Sequence, residues 1–135
     1  MTDEIQELHV ADTNAIIWYL TNRQRLSPKA LAIFEAAERG ETFIMVSVIS
    51  IAELYFWNQK HRAFTSFSEL KQRLVDLVFF QFVAMNLDDI DDFDQDSIIP
   101  EMHDRIITGV ARRLQAPLIT SDLTIRASTI VTSVW

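Results

Sequence analysis

Short, nearly uniform apolar runs alternate with helix-length amphipathic stretches along the whole chain, and few folds accommodate that order. The runs predict strands at 8–11 (LHVA), 43–46 (FIMV), 81–85 (QFVAM), 118–120 (LIT) and 130–135 (IVTSVW). A strand without polar–apolar alternation is covered on both faces, as strands are in a parallel sheet. A helix at 13–20 starts behind Asp12. Ser27 as N-cap and Pro28 in the first turn start a second helix, which Gly40 ends. Ser47 or Ser50 starts a third, running through Glu53 and Trp57. Ser66 or Ser68 starts a fourth, on which Leu70, Leu74, Leu77 and Val78 share one face. A short acidic helix or turn precedes a helix at 103–114, and a short helix precedes the last strand. The predicted architecture is a three-layer α/β/α sandwich with a central, mainly parallel sheet.

With 135 residues, only two glycines and three prolines, and no linker-like stretch, residues 1–135 read as a single domain. Cysteine is absent, which removes disulfides, thiol nucleophiles and Cys-ligated zinc together. The acidic, polar start (MTDEIQE) is unlike a secretory signal, and the longest apolar run, 43–52, falls well short of the roughly 20 residues of a membrane span. A soluble, cytoplasmic protein without a membrane partner is expected. The net charge of −7 speaks against a purely electrostatic nucleic-acid binder. It leaves room for a metal-dependent nuclease, because bound divalent cations invert the local field.

Four carboxylates stand where this architecture makes sites. Asp12 follows the first strand and Asp122 the fourth, and α/β sheets bind ligands beyond the carboxyl ends of strands. Asp104 lies in a first helical turn, and Glu53 lies among Ile49, Ile51, Leu54, Tyr55, Phe56 and Trp57. Each has a plain structural reading: Asp12 and Asp122 as N-caps, Asp104 as a partner of the helix dipole, Glu53 in a capping box with Ser50. A helix apolar nearly all round is expected to be buried, and a charge on it must be paired, metal-bound or turned to a cleft. Converging on one sheet edge, four carboxylates repel one another, and hard cations such as Mg²⁺ or Mn²⁺ relieve that repulsion.

The segments HVADTNAIIWYL and RLSPKALAIFEAA, MVSVISIAELYFW, HDRIITGVARRLQAPLITSD and IVTSVW resemble, in order, the PIN-domain toxins of the VapC type. The resemblance covers nearly the whole chain and is weakest over 60–96. It implies that Asp12, Glu53, Asp104 and Asp122 hold Mg²⁺ or Mn²⁺, and that Thr13, Asn14, Ser47 and Thr120 line or support the site. It implies an endoribonuclease that cleaves RNA with metal-activated water, a small antitoxin partner, and a homodimer. A stand-alone RNA-processing nuclease or a PIN-fold binding module without catalysis would share the fold. Asn14 stands where many of these toxins carry His. The stretch Pro-Glu-Met-His-Asp-Arg at 100–105 departs from the commoner Pro-Phe-Asp-Arg, so Asp104 is assigned from the Arg-Ile-Ile that follows it, with Glu101 as its rival.

Other constellations are weaker. The run 88–96 lacks the Gly and the Glu of a calcium loop, leaving a solvated acidic turn. His9, His61 and His103 have no ligand spacing, and His9 reads as a satisfied core residue. No nucleophile elbow or phosphate-cradling glycine loop exists. Three basic sets stand out: Arg23, Arg25 and Lys29; Lys60, His61 and Arg62; Arg112 and Arg113. They are solubilising charge, or, for the first two sets, a phosphate-gripping rim. An exposed subset of the many aromatics would suit an antitoxin segment or a second subunit.

Overall fold

A computed structural model describes residues 7–135; the acidic start read against a secretory signal lies outside them, but for Glu7. Five strands, β1 (Glu7–Ala11), β2 (Thr42–Ser47), β3 (Phe80–Val83), β4 (Leu118–Ile119) and β5 (Ser133–Val134), form one sheet in the order β3-β2-β1-β4-β5, and every pairing is parallel. The helices are α1 (Thr13–Thr21), α2 (Pro28–Glu38), α3 (Val48–His61), α4 (Phe67–Asp76), α5 (Leu87–Asp91), α6 (Met102–Leu114) and α7 (Leu123–Ala127), with a 3₁₀ turn at Arg23–Arg25.

Side chains on a strand alternate between the two faces of the sheet, and the core divides accordingly. Ala11, Ile44, Val46 and Ile119 join α1, α2 and α4 through Ile16, Tyr19, Phe34, Leu70 and Leu74. Val10 and Leu118 face the other way, toward Ile107, Val110 and Ala111 of α6 and Ile125 of α7. Apolar strand residues are therefore needed on both faces, which is why these runs show no alternation. Tyr19 stacks on Phe34 and meets Phe79 and Phe80 edge-on, closing the first layer.

The helix starts follow their capping chemistry. Ser27 accepts from the Ala30 N–H, with Pro28 opening α2, and Gly40 beyond its end takes φ 78°. Ser47, rather than Ser50, caps α3, and Ser66, rather than Ser68, caps α4. Three expectations need correction. The shared apolar face of α4 does not reach Leu77 and Val78: the helix stops at Asp76 because Phe79 and Phe80 must enter the core, and Val78 is 80% exposed. The last strand covers only Ser133–Val134 of the predicted 130–135. Helix α3 is not buried all round: Ser50, Leu54 and Asn58 face inward, whereas Tyr55 and Phe56 are 40% and 70% exposed.

Candidate functional site

From β1 the chain winds outward to β2 and β3, then returns to the other side of β1 with β4 and β5. The direction reverses between β1 and β4, so the crevice beyond their carboxyl ends is the natural ligand position. Asp12 emerges from β1 and Asp122 from β4 at this edge. Helices α3 and α6, which contact each other, bring in Glu53 and Asp104. Asp12, Thr13, Asn14, Ile17, Glu53, Trp57 and Asp104 line a cleft of about 200 Å³.

Both strand-end acids are also caps. Asp12 Oδ1 accepts from the Ala15 N–H at 2.8 Å, and Asp122 Oδ1 accepts from the Ile125 N–H at 2.9 Å. Each cap occupies one carboxylate oxygen. Thr120 ties the two acids together: its hydroxyl bonds to the Asp12 side chain and accepts from the Asp122 N–H at 3.1 Å. Across the cleft, Thr13 Oγ1 donates to Glu53 Oε1 at 2.7 Å and lies 3.0 Å from Ser50 Oγ. One hydroxyl carries one proton, and the carboxylate is the stronger acceptor, so Ser50 completes the chain by donating to Thr13. This rules out the capping box: Ser50 lies inside α3, and Glu53 is held by Thr13 instead.

The charges are coupled. Asp12 is only 8% exposed, and burial pushes its pKa up to about 6. Bonds from Thr120 and Ala15 oppose that shift, while Asp122 and Glu53 add to it. Asp104 is also pushed up to about 6, by burial first and then by the charges of Glu101, Asp122, Glu53 and Asp12. Asp104 therefore feels all three other acids, and Asp12 feels Asp122 and Glu53.

Glu101 takes a different part. Its two oxygens receive the Asp104 N–H at 2.8 Å and His103 Nδ1 at 2.6 Å, so it caps α6. Burial pushes its pKa up, but the backbone N–H groups of Asp104 and His103 and the His103 ring outweigh this and hold it low. Asp104, not Glu101, lines the cleft. Ser47 sits buried at the α3 start, accepting from Ile49 N–H at 3.2 Å, and Asn14 is exposed on the cleft wall. Ser50, Ile17 and Trp57 were not singled out as site residues. Ser50, Glu53 and Trp57 fall at i, i+3 and i+7 on one helix, a spacing that carries the signal. Asp122 does not line this cleft, and among the described residues no three His, Asp or Glu side chains are grouped so that they could hold a metal ion.

The family model of the PIN domain matches residues 10–128. The chain belongs to the PIN domain family. No curated protein matches it in sequence. Among solved structures, VapBC2 from Rickettsia felis, bound to a promoter DNA fragment, is similar at TM-score 0.68 and 13% identity, covering 94% of this chain and 97% of that one. FitAcB from Neisseria gonorrhoeae gives TM-score 0.68 and 17% identity, covering 93% and 95%. A toxin–antitoxin complex from Klebsiella pneumoniae gives 0.63 and 19%, covering 92% and 95%. At these identities the likeness is one of fold, and the PIN sheet order and layers described above are what it covers.

The basic sets divide within this PIN fold. Arg112 and Arg113 are engaged: Arg112 pairs with Asp92 and Asp96, and Arg113 with Asp89 and Asp92. The acidic run 88–96 is thus in part a buried clamp on α6, not a wholly solvated turn; Asp89 and Asp96 are 2% and 1% exposed. Arg23 lies over the Tyr19 ring and near Glu38. His9 bonds to Thr42 Oγ1 at 2.9 Å, as a satisfied half-buried residue should.

Proposed function

We propose that this PIN domain is an Mg²⁺- or Mn²⁺-dependent endoribonuclease, the toxin member of a toxin–antitoxin pair. The observation that carries the reading is the cleft lined by Asp12, Glu53 and Asp104 beyond β1, with the Asp122 charge adding to burial in raising Asp12 and Asp104. The caps engage only Oδ1 of Asp12 and of Asp122, and carboxylate oxygens suit hard divalent cations. Asp12 and Asp122 would anchor the ion, with Glu53 and Asp104 completing the oxygen set. A bound divalent ion supplies Lewis-acid polarisation of a phosphodiester and lowers the pKa of a water ligand.

The chain's own residues do the rest. Thr120 fixes the two anchors relative to each other, and the Ser50–Thr13 pair orients Glu53. Ser47 and Glu101 set the starts of the two helices that carry Glu53 and Asp104. Asn14 offers an amide at the cleft wall where it can reach a phosphate or ribose oxygen, without the titration a His would bring. The antitoxin partner is supported by the similar structures, which include toxin–antitoxin complexes. The homodimer rests on the family resemblance, and the mass of the purified protein in solution tests it.

Cleavage of single-stranded RNA with Mn²⁺, with EDTA, and by Asp12→Asn tests the nuclease. Cutting with Mn²⁺ alone, abolished by both the chelator and the substitution, is the expected result. Cutting that survives both overturns the metal mechanism.

A further inference from the structure

Beside the acid cleft, a second concavity of about 540 Å³ opens between α2, α7 and β5, and its walls are of opposite character. Lys29, Arg126, Leu123 and Trp135 line it. Helix α7 begins at Asp122, so Leu123 and Arg126 continue directly from the acid quartet into this groove. Strands β4 and β5 are parallel and Thr120 N–H donates to the Val134 carbonyl at 3.2 Å, so Trp135 stands at the same sheet edge as Thr120. The Trp135 indole is half-buried and braced edge-on by Trp18 at 5.6 Å, and Arg25 covers the Trp18 ring at 4.5 Å.

About half of the other cations on the molecule are engaged by the protein itself. Arg23, Arg39, Arg112 and Arg113 are ion-paired, and Arg105 donates to the carbonyls of Ile99 and Phe93. Lys29 and Arg126 are exposed, and among the described residues neither has a carboxylate within ion-pair distance. Arg25, Lys60, Arg62, Lys71 and Arg73 also lack an ion pair among the described residues; what sets Lys29 and Arg126 apart is that they share one concavity with an indole and an exposed leucine (Leu123, 76%).

From this juxtaposition we infer that the Lys29–Arg126–Trp135 groove binds the single-stranded RNA leading away from the cleavage position, its phosphates on Lys29 and Arg126 and a base against Trp135 and Leu123. The inference deepens the nuclease reading and rests on it for the identity of the strand. A single strand fits better than a duplex, because only an unpaired base offers its face to an aromatic ring. The groove continues from Asp122, so a strand held there passes the acid quartet.

The test separates binding from cutting. Anisotropy of a labelled oligouridylate with the full chain in EDTA reads the groove with no cleavage step. The double variant Lys29→Gln/Arg126→Gln, both at exposed positions, is expected to bind about tenfold more weakly at physiological salt and to lower the salt slope by about 1.4. Trp135→Leu is expected to weaken binding without changing that slope; its melting curve shows whether the fold is kept, and the charge variant decides if it is not. Lys71→Gln/Arg73→Gln, on α4, is expected to bind as wild type. Equal loss in both double variants means diffuse charge and overturns the groove, as does wild-type binding by Lys29→Gln/Arg126→Gln. Displacement of RNA by polyglutamate at equal affinity and slope would make this an acidic-peptide surface and overturns it too. Groove binding without Mn²⁺-dependent cutting would sink the nuclease reading alone.

Discussion

Asp12 is pulled in two directions by the same placement. Its Oδ1 caps α1, which stabilises the fold, while its charge sits 8% exposed among other carboxylates, which destabilises it. A carboxyl group whose folded-state pKa is raised contributes stability below its unfolded value of about 4, and that contribution is lost as pH rises through about 6. The metal-free protein is therefore expected to lose up to about 3 kcal/mol from Asp12 between pH 4 and 7, with a smaller loss from the less deeply buried Asp104. Denaturant titrations in EDTA at several pH values check this; stability that is flat or rises over that window contradicts it. Asp12→Asn keeps the cap and removes the charge, so at pH 7 it is expected to be more stable than wild type in EDTA, yet inactive. Asp12→Ala loses the cap as well and should fall about 1 kcal/mol below Asp12→Asn. At this scale the sequence offered a choice for each acid, cap or ligand. Both Asp12 and Asp122 are caps, and each cap engages only one of the two carboxylate oxygens.

The elements were legible to the degree that local chemistry sets them. Strand positions showed as apolar runs, and Ser27-Pro28 and Gly40 marked both ends of α2. The end of α4 did not show, because Leu77 and Val78 continue its apolar spacing and only the tertiary need to deliver Phe79 and Phe80 stops it. The outer face of α3 was misread for a related reason: composition counts apolar residues without saying which face meets the core. The acidic run was misread because its partners, Arg112 and Arg113, lie about 20 residues away on α6. That clamp makes a sharp test. Arg112 holds Asp96 through two bonds of 3.0 Å, and a Cβ added at Gly109 would lie 3.2 Å from Asp96 Oδ2 and 3.3 Å from Arg113. Ala for Gly in a helix ordinarily stabilises by about 1 kcal/mol. Here the pinned carboxylate cannot retreat, so Gly109→Ala is expected to destabilise, and Asp96→Ala, which leaves Arg112 with Asp92 alone, to cost about 2 kcal/mol. Thermal melts rank both; a more stable Gly109→Ala would show that the clamp yields.

At the scale of the molecule, the sheet order decides what the acids can do together. Because β1 and β4 are neighbours although over a hundred residues separate them, Asp12 and Asp122 meet only in the folded chain. An ion held by that pair binds the native state and not the unfolded one, so it must stabilise the fold by mass action. At a hundredfold excess over its dissociation constant the gain is about 2.7 kcal/mol. The gain must also depend on pH, since the ligands bind as carboxylates and Asp12 and Asp104 are raised to about 6. Mn²⁺ is therefore expected to raise the melting temperature strongly at pH 7.5 and little at pH 5, reversing the metal-free trend in which alkaline conditions weaken the protein. Asp12→Asn is expected to flatten both curves, since it removes the repulsion and the ligand in one change. A stabilisation by Mn²⁺ that is equal at both pH values, or kept by Asp12→Asn, would place the ion elsewhere on this acidic surface and leave the quartet as two helix caps and two neighbours.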